Sequence, residues 1–379
     1  MNENKKIIVA MSGGVDSAVV AVLLKEQDYE IEGVFMRLGI ARDDQAEKNA
    51  GRIARKLGIK FFVVDVSKEF KKKVIDYFIS EYKKGQTPNP CVECNREIKF
   101  GILMEKVLKM GADYVATGHY VRLQNVIAGK VRLKQSRSYK SQGLVAELFH
   151  FARNDSKNGI AKFRLLKAKD ENKDQSYFLY TLNQKKLKRC LFPLGDYTKD
   201  EVKKIAKKYN LKIDNEKESQ EICFITSKYY GDFLRERLKL KAGDIIDANN
   251  NILGKHKGLP LYTIGQRRDI GIGGTGPYFV IGMNRGKNQL VVSDNKNDKN
   301  LFSKKLAVKK VNWVSGSIPK SPFKIKVKTR YRMKECLAVI DKINNKYTVK
   351  FLKPQRAVMS GQSVVFYKGN EVLGGGIII

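Results

Sequence analysis

No apolar run in this chain of 379 residues approaches the roughly 20 residues that span a bilayer. A membrane-crossing protein is therefore not expected. Cysteine is scarce: Cys91, Cys94, Cys190, Cys223 and Cys336 are the five present. An odd, sparse set does not make a disulfide framework of the secreted kind. The opening Met1 to Lys6 has no signal-peptide pattern, so a cytoplasmic protein is expected, with thiols used for catalysis or metal binding. No internal repeat and no low-complexity tract is present. Acidic residues are also short, 39 Asp and Glu against 74 Lys and Arg, which leaves a net charge of +35. Such a surplus points to a polyanionic partner, RNA or DNA, or to a lysine-rich proteome. The hydrophobic content of 42% supplies real cores and excludes global disorder. The length suggests two or three domains.

The chain is organised around Ala10-Met11-Ser12-Gly13-Gly14-Val15-Asp16-Ser17. A strand-like run over 6–10 precedes it, and an apolar helical stretch over 17–27 follows. Paired glycines let the backbone approach an anion, and a helix N-terminus aims free N–H groups at it. Ser12 and Ser17 add hydroxyls, and Asp16 is the candidate ligand for a nucleotide's Mg²⁺. The stretch lacks the lysine of a Walker A loop. It resembles the loop of the ATP pyrophosphatases, which hold the pyrophosphate of ATP and transfer AMP to a carbonyl-like oxygen.

Strands over 29–36, 60–66 and 112–117 alternate with helices over 43–57, 68–84 and 97–110. This predicts a parallel sheet covered on both faces, with ligands beyond the strands' carboxyl ends. Met36 and Gly118-His119 end two of these strands. Gly85 to Arg96 reads as an extended loop stiffened by Pro88 and Pro90. It carries Cys91 and Cys94 near a helix N-terminus, a place that lowers thiol pKa. Residues 121–169 read as an insertion without an assignable role. Thr198 and Glu201 match a capping box at the start of a helix over 198–209. Beyond Tyr229, glycine and short β-like pieces take over, and from about Asn288 regular short strands predict a small antiparallel barrel. The expected divisions are a catalytic domain over 1–228, a middle domain over 229–285 and a barrel over 286–379.

Several ordered stretches carry a more specific likeness. They are Thr87-Pro88-Asn89-Pro90-Cys91 with Cys94-Asn95, Thr117-Gly118-His119-Tyr120, Lys173-Asp174-Gln175-Ser176-Tyr177, Ser219-Gln220 through Cys223-Phe224-Ile225, Leu261 to Arg267, and Gly361-Gln362-Ser363. Together they resemble the bacterial tRNA-specific 2-thiouridylases over nearly the whole chain. The resemblance implies an α/β catalytic domain of the adenine-nucleotide α-hydrolase-like type, a small middle domain and a C-terminal β-barrel that binds tRNA. It implies replacement of the C2 oxygen of the wobble uridine by sulfur, with ATP and Mg²⁺. Cys94 matches the catalytic cysteine, and Cys223 the cysteine that carries a persulfide and later forms a transient disulfide with Cys94. Ala10 through Ser17, Met36 and Gly118 match the ATP site. Asn89, Pro90 and Cys91 match the loop that meets the target base, while His119, Lys173, Asp174, Gln175, Arg330, Tyr331 and Gln362 match tRNA contacts. The implied partners are tRNAs for Lys, Glu and Gln and a cysteine desulfurase or sulfur-relay protein, and the expected state is a monomer. Some relatives have aspartate where this chain has Cys91. Three thiols, Cys91, Cys94 and Cys223, also suit a [4Fe–4S] cluster, which would bear the sulfur in place of a persulfide. Two other functions remain open: a ligase of the same superfamily acting on a small molecule, and a non-catalytic RNA-binding protein.

Overall fold

The computed structural model describes residues 5–126, 162–211, 222–227, 230–273, 276–344 and 346–379. Five parallel strands form the first sheet, in the order β3-β2-β1-β4-β7. They are β1 (Lys6–Ala10), β2 (Glu30–Arg37), β3 (Lys60–Asp65), β4 (Tyr114–Ala116) and β7 (Cys190–Leu191). Strands β1 and β2 run in register from Lys6↔Glu30 to Ala10↔Val34, and Ile7, Ile8 and Val9 are fully buried between the helical layers. Such a continuous apolar strand belongs in a sheet covered on both sides. Helix α1 (Val15–Lys25) and helix α2 (Asp43–Leu57) cover one side with α5 (Lys199–Lys208). The Thr198–Glu201 capping box forms as the sequence predicts.

Helix α3 (residues 67–83) and helix α4 (residues 90–109) pack together and face the middle domain. Here the expected extended loop gives way to helix. Asn89 accepts a hydrogen bond from the N–H of Val92 and caps α4, so Pro90 becomes its first residue. Proline lacks the N–H that is unpaired at that position anyway, and its fixed φ suits a helix start. Cys91 and Cys94 therefore stand on the first turns of α4 rather than on a loop.

The middle sheet comprises β8 (Gly243–Ile246), β9 (Ile252–His256), β10 (Phe279–Asn284) and β11 (Gln289–Ser293). The pair Phe279↔Ser293 closes a hairpin, and the expected division between 285 and 286 falls inside it. The expected division at 228/229 lies outside the described residues. The short piece Leu259–Leu261 is a single 3₁₀ turn, consistent with the proline inside it.

Six antiparallel strands close the barrel: β12 (Phe302–Trp313), β13 (Phe323–Lys328), β14 (Cys336–Ile343), β15 (Lys346–Arg356), β16 (Ser363–Lys368) and β17 (Glu371–Ile378). Pairing of β12 with β17 joins the two ends of the ladder. Strands β5 (Val121–Val126) and β6 (Lys162–Lys167) pair with each other, and β6 adds to β17 through Leu166↔Glu371 and Leu165↔Val372. The described ends of the unassigned insertion thus extend the barrel's sheet, while residues 127–161 lie outside the described residues. Among the described residues no helix is long and apolar enough to cross a membrane.

Candidate active site

The reversal of strand order beside β1 makes a crevice at the carboxyl ends of the strands, where α/β sheets bind ligands. A cleft of about 1600 Å³ opens there. Ala10 through Ser17 line it, together with Met36, Gly118 and His119. Gly13 has φ +78°, and a Cβ there would stand 2.3 Å from the carbonyl oxygen of Ala46, so only glycine fits. Gly14 caps α1 without any side-chain hydrogen bond to its first N–H groups, which leaves them for an anion. Ser17 Oγ accepts from the Ser12 N–H at 3.0 Å and donates to the Gly14 carbonyl at 3.1 Å, which fixes the turn. Gly118 passes so close that a Cβ would lie 3.1 Å from Ser17 N. These contacts preform a cradle whose N–H groups suit a phosphate.

Lys199, which sequence reasoning missed, stands at this cradle. Its Nζ lies 2.6 Å from Asp16 Oδ1, which also accepts from Tyr120 OH at 2.8 Å. Lys199 and Lys203 both line the cleft. The only signal in the sequence is the capping box, which puts Lys199 on the first turn of α5; its chemistry looks like that of any other lysine.

The same cleft is lined by Pro90, Cys91, Cys94 and Cys223. Phe224 anchors the Cys223 segment between Phe70, Phe78 and Phe233, with ring centroids 6.0, 5.4 and 5.2 Å away. Residues Ser219 and Gln220 lie outside the described residues. All five cysteines are free thiols. Burial pushes Cys91 up to about 11 and Cys94 up to about 12. This reverses the expectation of a lowered pKa: removal from water outweighs the helix terminus and the Lys99 charge. Cys223 is also raised by burial, with Arg42 and Lys99 opposing. The three thiols share the cleft, yet no group of three His, Cys, Asp or Glu among the described residues is placed to hold a metal ion. Cys91 and Cys94 sit on one turn of α4, and Cys223 lines the same cleft.

The residues expected to contact tRNA divide into two groups. His119, Lys173, Asp174, Gln175 and Tyr331 line the cleft. His119 is buried, 2.8 Å from Thr117 Oγ1, and burial holds it neutral. Asp174 accepts from the N–H groups of Ala168 and Ser176 and from Ser176 Oγ. Gln175 accepts from the Tyr120 N–H at 3.0 Å, so this pair shapes the loop that presents Lys173. Tyr331 packs against Phe178 at a tilt, with centroids 4.5 Å apart. Asn89, Arg330 and Gln362 do not line the cleft. Arg330 donates to the carbonyls of Arg356 and Ala357. Gln362 Oε1 accepts from Asn89 at 3.4 Å and from Tyr177 OH at 3.5 Å. Next to them the Thr87 N–H donates to the Ser360 carbonyl at 2.8 Å. These bonds form a seam that fastens the barrel to the strap ahead of α4.

Three family models match in chain order. The tRNA methyl transferase HUP domain matches residues 5–148 and 144–227, its PRC-barrel domain 231–294, and the aminomethyltransferase β-barrel domain 303–378. The tRNA-specific 2-thiouridylase of Carboxydothermus hydrogenoformans is 40% identical across 99% of this chain and 97% of its own length. The chain belongs to the tRNA-specific 2-thiouridylase family. Other members match as fully: that of Syntrophomonas wolfei at 41% identity (98% of this chain, 99% of its own) and that of Halothermothrix orenii at 42% (98% of each). The resemblance drawn from the ordered motifs is thereby borne out, and so is the three-part architecture. The protein is an enzyme, a tRNA sulfurtransferase.

Proposed function

We propose that this 2-thiouridylase acts on the wobble uridine, U34, through an adenylated intermediate and a cysteine persulfide. One observation carries the reading: the Ser12–Ser17 cradle and the thiols of Cys91, Cys94 and Cys223 line a single cleft. Cations border that cleft on every side, with Arg42 and Lys99 by the thiols, Lys199 and Lys203 by the cradle, and Lys328 and Arg332 from the barrel. A basic cleft suits both nucleotide phosphates and an RNA backbone.

The target base leaves its stack to enter. Its O2 attacks the α-phosphorus of ATP, the bond to the β-phosphate bridging oxygen breaks, and pyrophosphate departs into the cradle. Mg²⁺, when bound by Asp16 and the phosphates, offsets their charge; one carboxylate with phosphate oxygens is a usual donor set for it. Adenylation matters because a carbonyl oxygen is a poor leaving group, whereas AMP is a good one. The terminal sulfur of a Cys223 persulfide then attacks C2, and AMP leaves with the original oxygen. The Cys94 thiolate attacks Cys223 Sγ, which breaks its bond to the transferred sulfur and leaves a Cys94–Cys223 disulfide. A cellular dithiol reduces that disulfide, and a cysteine desulfurase or relay protein reloads Cys223. In the free protein, burial raises the pKa of both thiols, and it shields Cys94 from stray oxidation. Met36 and Gly118 wall the adenylate side, Pro90 and Cys91 meet the base, and Lys173 and Tyr331 meet the RNA. tRNAs for Lys, Glu and Gln are the intended substrates.

The decisive test is mass analysis of wobble nucleosides after tRNA is incubated with the protein, ATP, a dithiol, and a cysteine desulfurase with cysteine as the persulfide source. 2-Thiouridine should form, with AMP and pyrophosphate released only when tRNA is present. Release without tRNA would instead favour a small-molecule ligase, and loss of neither function in Cys94→Ala and Cys223→Ala would favour a binding protein.

A further inference from the structure

We infer that Asn95 is the residue that recognises the target base as uracil, its side-chain oxygen accepting the N3–H beside C2. The inference rests on the thiolation reading above and names the group that sets its base specificity. Asn95 follows Cys94 on α4, lines the cleft and is 3% exposed. Its Nδ2 donates to the Phe178 carbonyl at 3.3 Å. A carbonyl only accepts, so the amide cannot be turned end for end without setting two oxygens against each other. The orientation is therefore fixed, with Oδ1 directed away from Phe178. That oxygen is buried and has no hydrogen-bond partner among the described residues.

Buried polar atoms are almost always paired, and an exception calls for a missing partner. A partner for it must be a donor, and Asn95 lines the same cleft as Cys94. Uracil carries an N–H donor on the ring atom adjacent to C2, the atom that receives sulfur. Cytosine has the same C2 carbonyl but presents a bare acceptor at N3, which would face Oδ1 lone pair to lone pair. A site built to pair with a donor rejects the analogue that lacks it, because its own buried group is then left unpaired. The hydrogen bond also pushes electron density toward O2, the oxygen that must attack phosphorus. Phe178, whose carbonyl holds Asn95, packs its ring against Tyr331, and both line the same cleft. The widened π-helical turns over Cys94–Leu103, a feature common at functional sites, carry both the thiol and the amide.

The test measures binding of anticodon stem-loops that differ only at position 34 (uridine, cytidine or N3-methyluridine) to the full-length protein without ATP. The wild type should bind the uridine form at least about tenfold more tightly than either other form. Asn95→Ala should bind all three alike, at the wild type's cytidine level, with ATP affinity unchanged as the sign of an intact fold. A uridine preference that survives in Asn95→Ala overturns the inference. If that variant does not fold, the wild type alone decides: equal binding of uridine and N3-methyluridine also overturns it. Thiolation of U34 tRNA by the wild type is scored in parallel. Its absence would sink the underlying reading, whereas its presence with a retained preference in the variant sinks only the role of Asn95.

Discussion

Lys199 holds Asp16 in a 2.6 Å ion pair at the mouth of the phosphate cradle. In the proposed ATP site the same ammonium would offset phosphate charge, and without it the Asp16 carboxylate would face phosphate unscreened. Lys199→Met should raise the KM for ATP about 10- to 100-fold, the range expected for one charge-assisted contact. Lys199→Arg should restore part of it, as read by tRNA-dependent pyrophosphate release. With Cys94 pushed up to about 12, its thiolate appears only as pH rises. Its alkylation by iodoacetamide in the free protein should therefore climb about tenfold per pH unit from 7 to 10. At pH 8 it should lag free cysteine by about two to three orders of magnitude. Cys223 is only partly buried and has Arg42 as well as Lys99 beside it, so it should react first. Mass mapping of labelled peptides checks the order; fast labelling of Cys94 would mean that the resting thiol is not held as described.

The seam between the barrel and the strap 86–89 positions α4 from outside the catalytic sheet. Gly361 has φ +87°, and a Cβ there would lie 2.7 Å from Gln86 Cβ and 3.0 Å from Thr87 N. Gly361→Val should push the strap away, lowering the melting temperature and the single-turnover rate of sulfur transfer together. Asn89→Ala removes the cap of α4 and the seam bond to Gln362 and should lower stability by at least about 1 kcal/mol, measured by denaturant unfolding. Much of the catalytic half was legible in advance: α2 runs over Asp43–Leu57 as its 3.6-residue apolar spacing dictates, and the cradle reads directly from its glycines. The helix at Pro90 was missed because two prolines look like a breaker, and only the Asn89 side chain shows that the second begins a helix. Raised thiol pKa values were equally hidden, since burial of Cys94 depends on Phe70, Ile98 and Phe224, which are far apart in sequence. Asn89, Arg330 and Gln362 bond to partners from across the chain, a setting that no local pattern in the sequence shows.

The whole molecule carries +35, and cations border the cleft from the sheet, from α5 and from the barrel. Affinity for tRNA should consequently fall by at least about 100-fold between 50 and 200 mM salt, as contacts to several phosphates release their counterions. Filter binding across that range gives the slope; a flat response would mean that the charge is spent on solubility alone. One last feature bears on how the protein can be taken apart. Strands β5 and β6 leave the catalytic domain to finish the sheet that β17 begins, and the Lys167 N–H donates to the Asn370 carbonyl at 2.8 Å. A chain truncated after Ser293 would present this hairpin as a bare edge, prone to stick to another copy. Grafting a foreign RNA-binding module in its place would demand a matching strand at the graft. Catalysis and substrate capture are thus inherited as one piece, not as exchangeable cassettes.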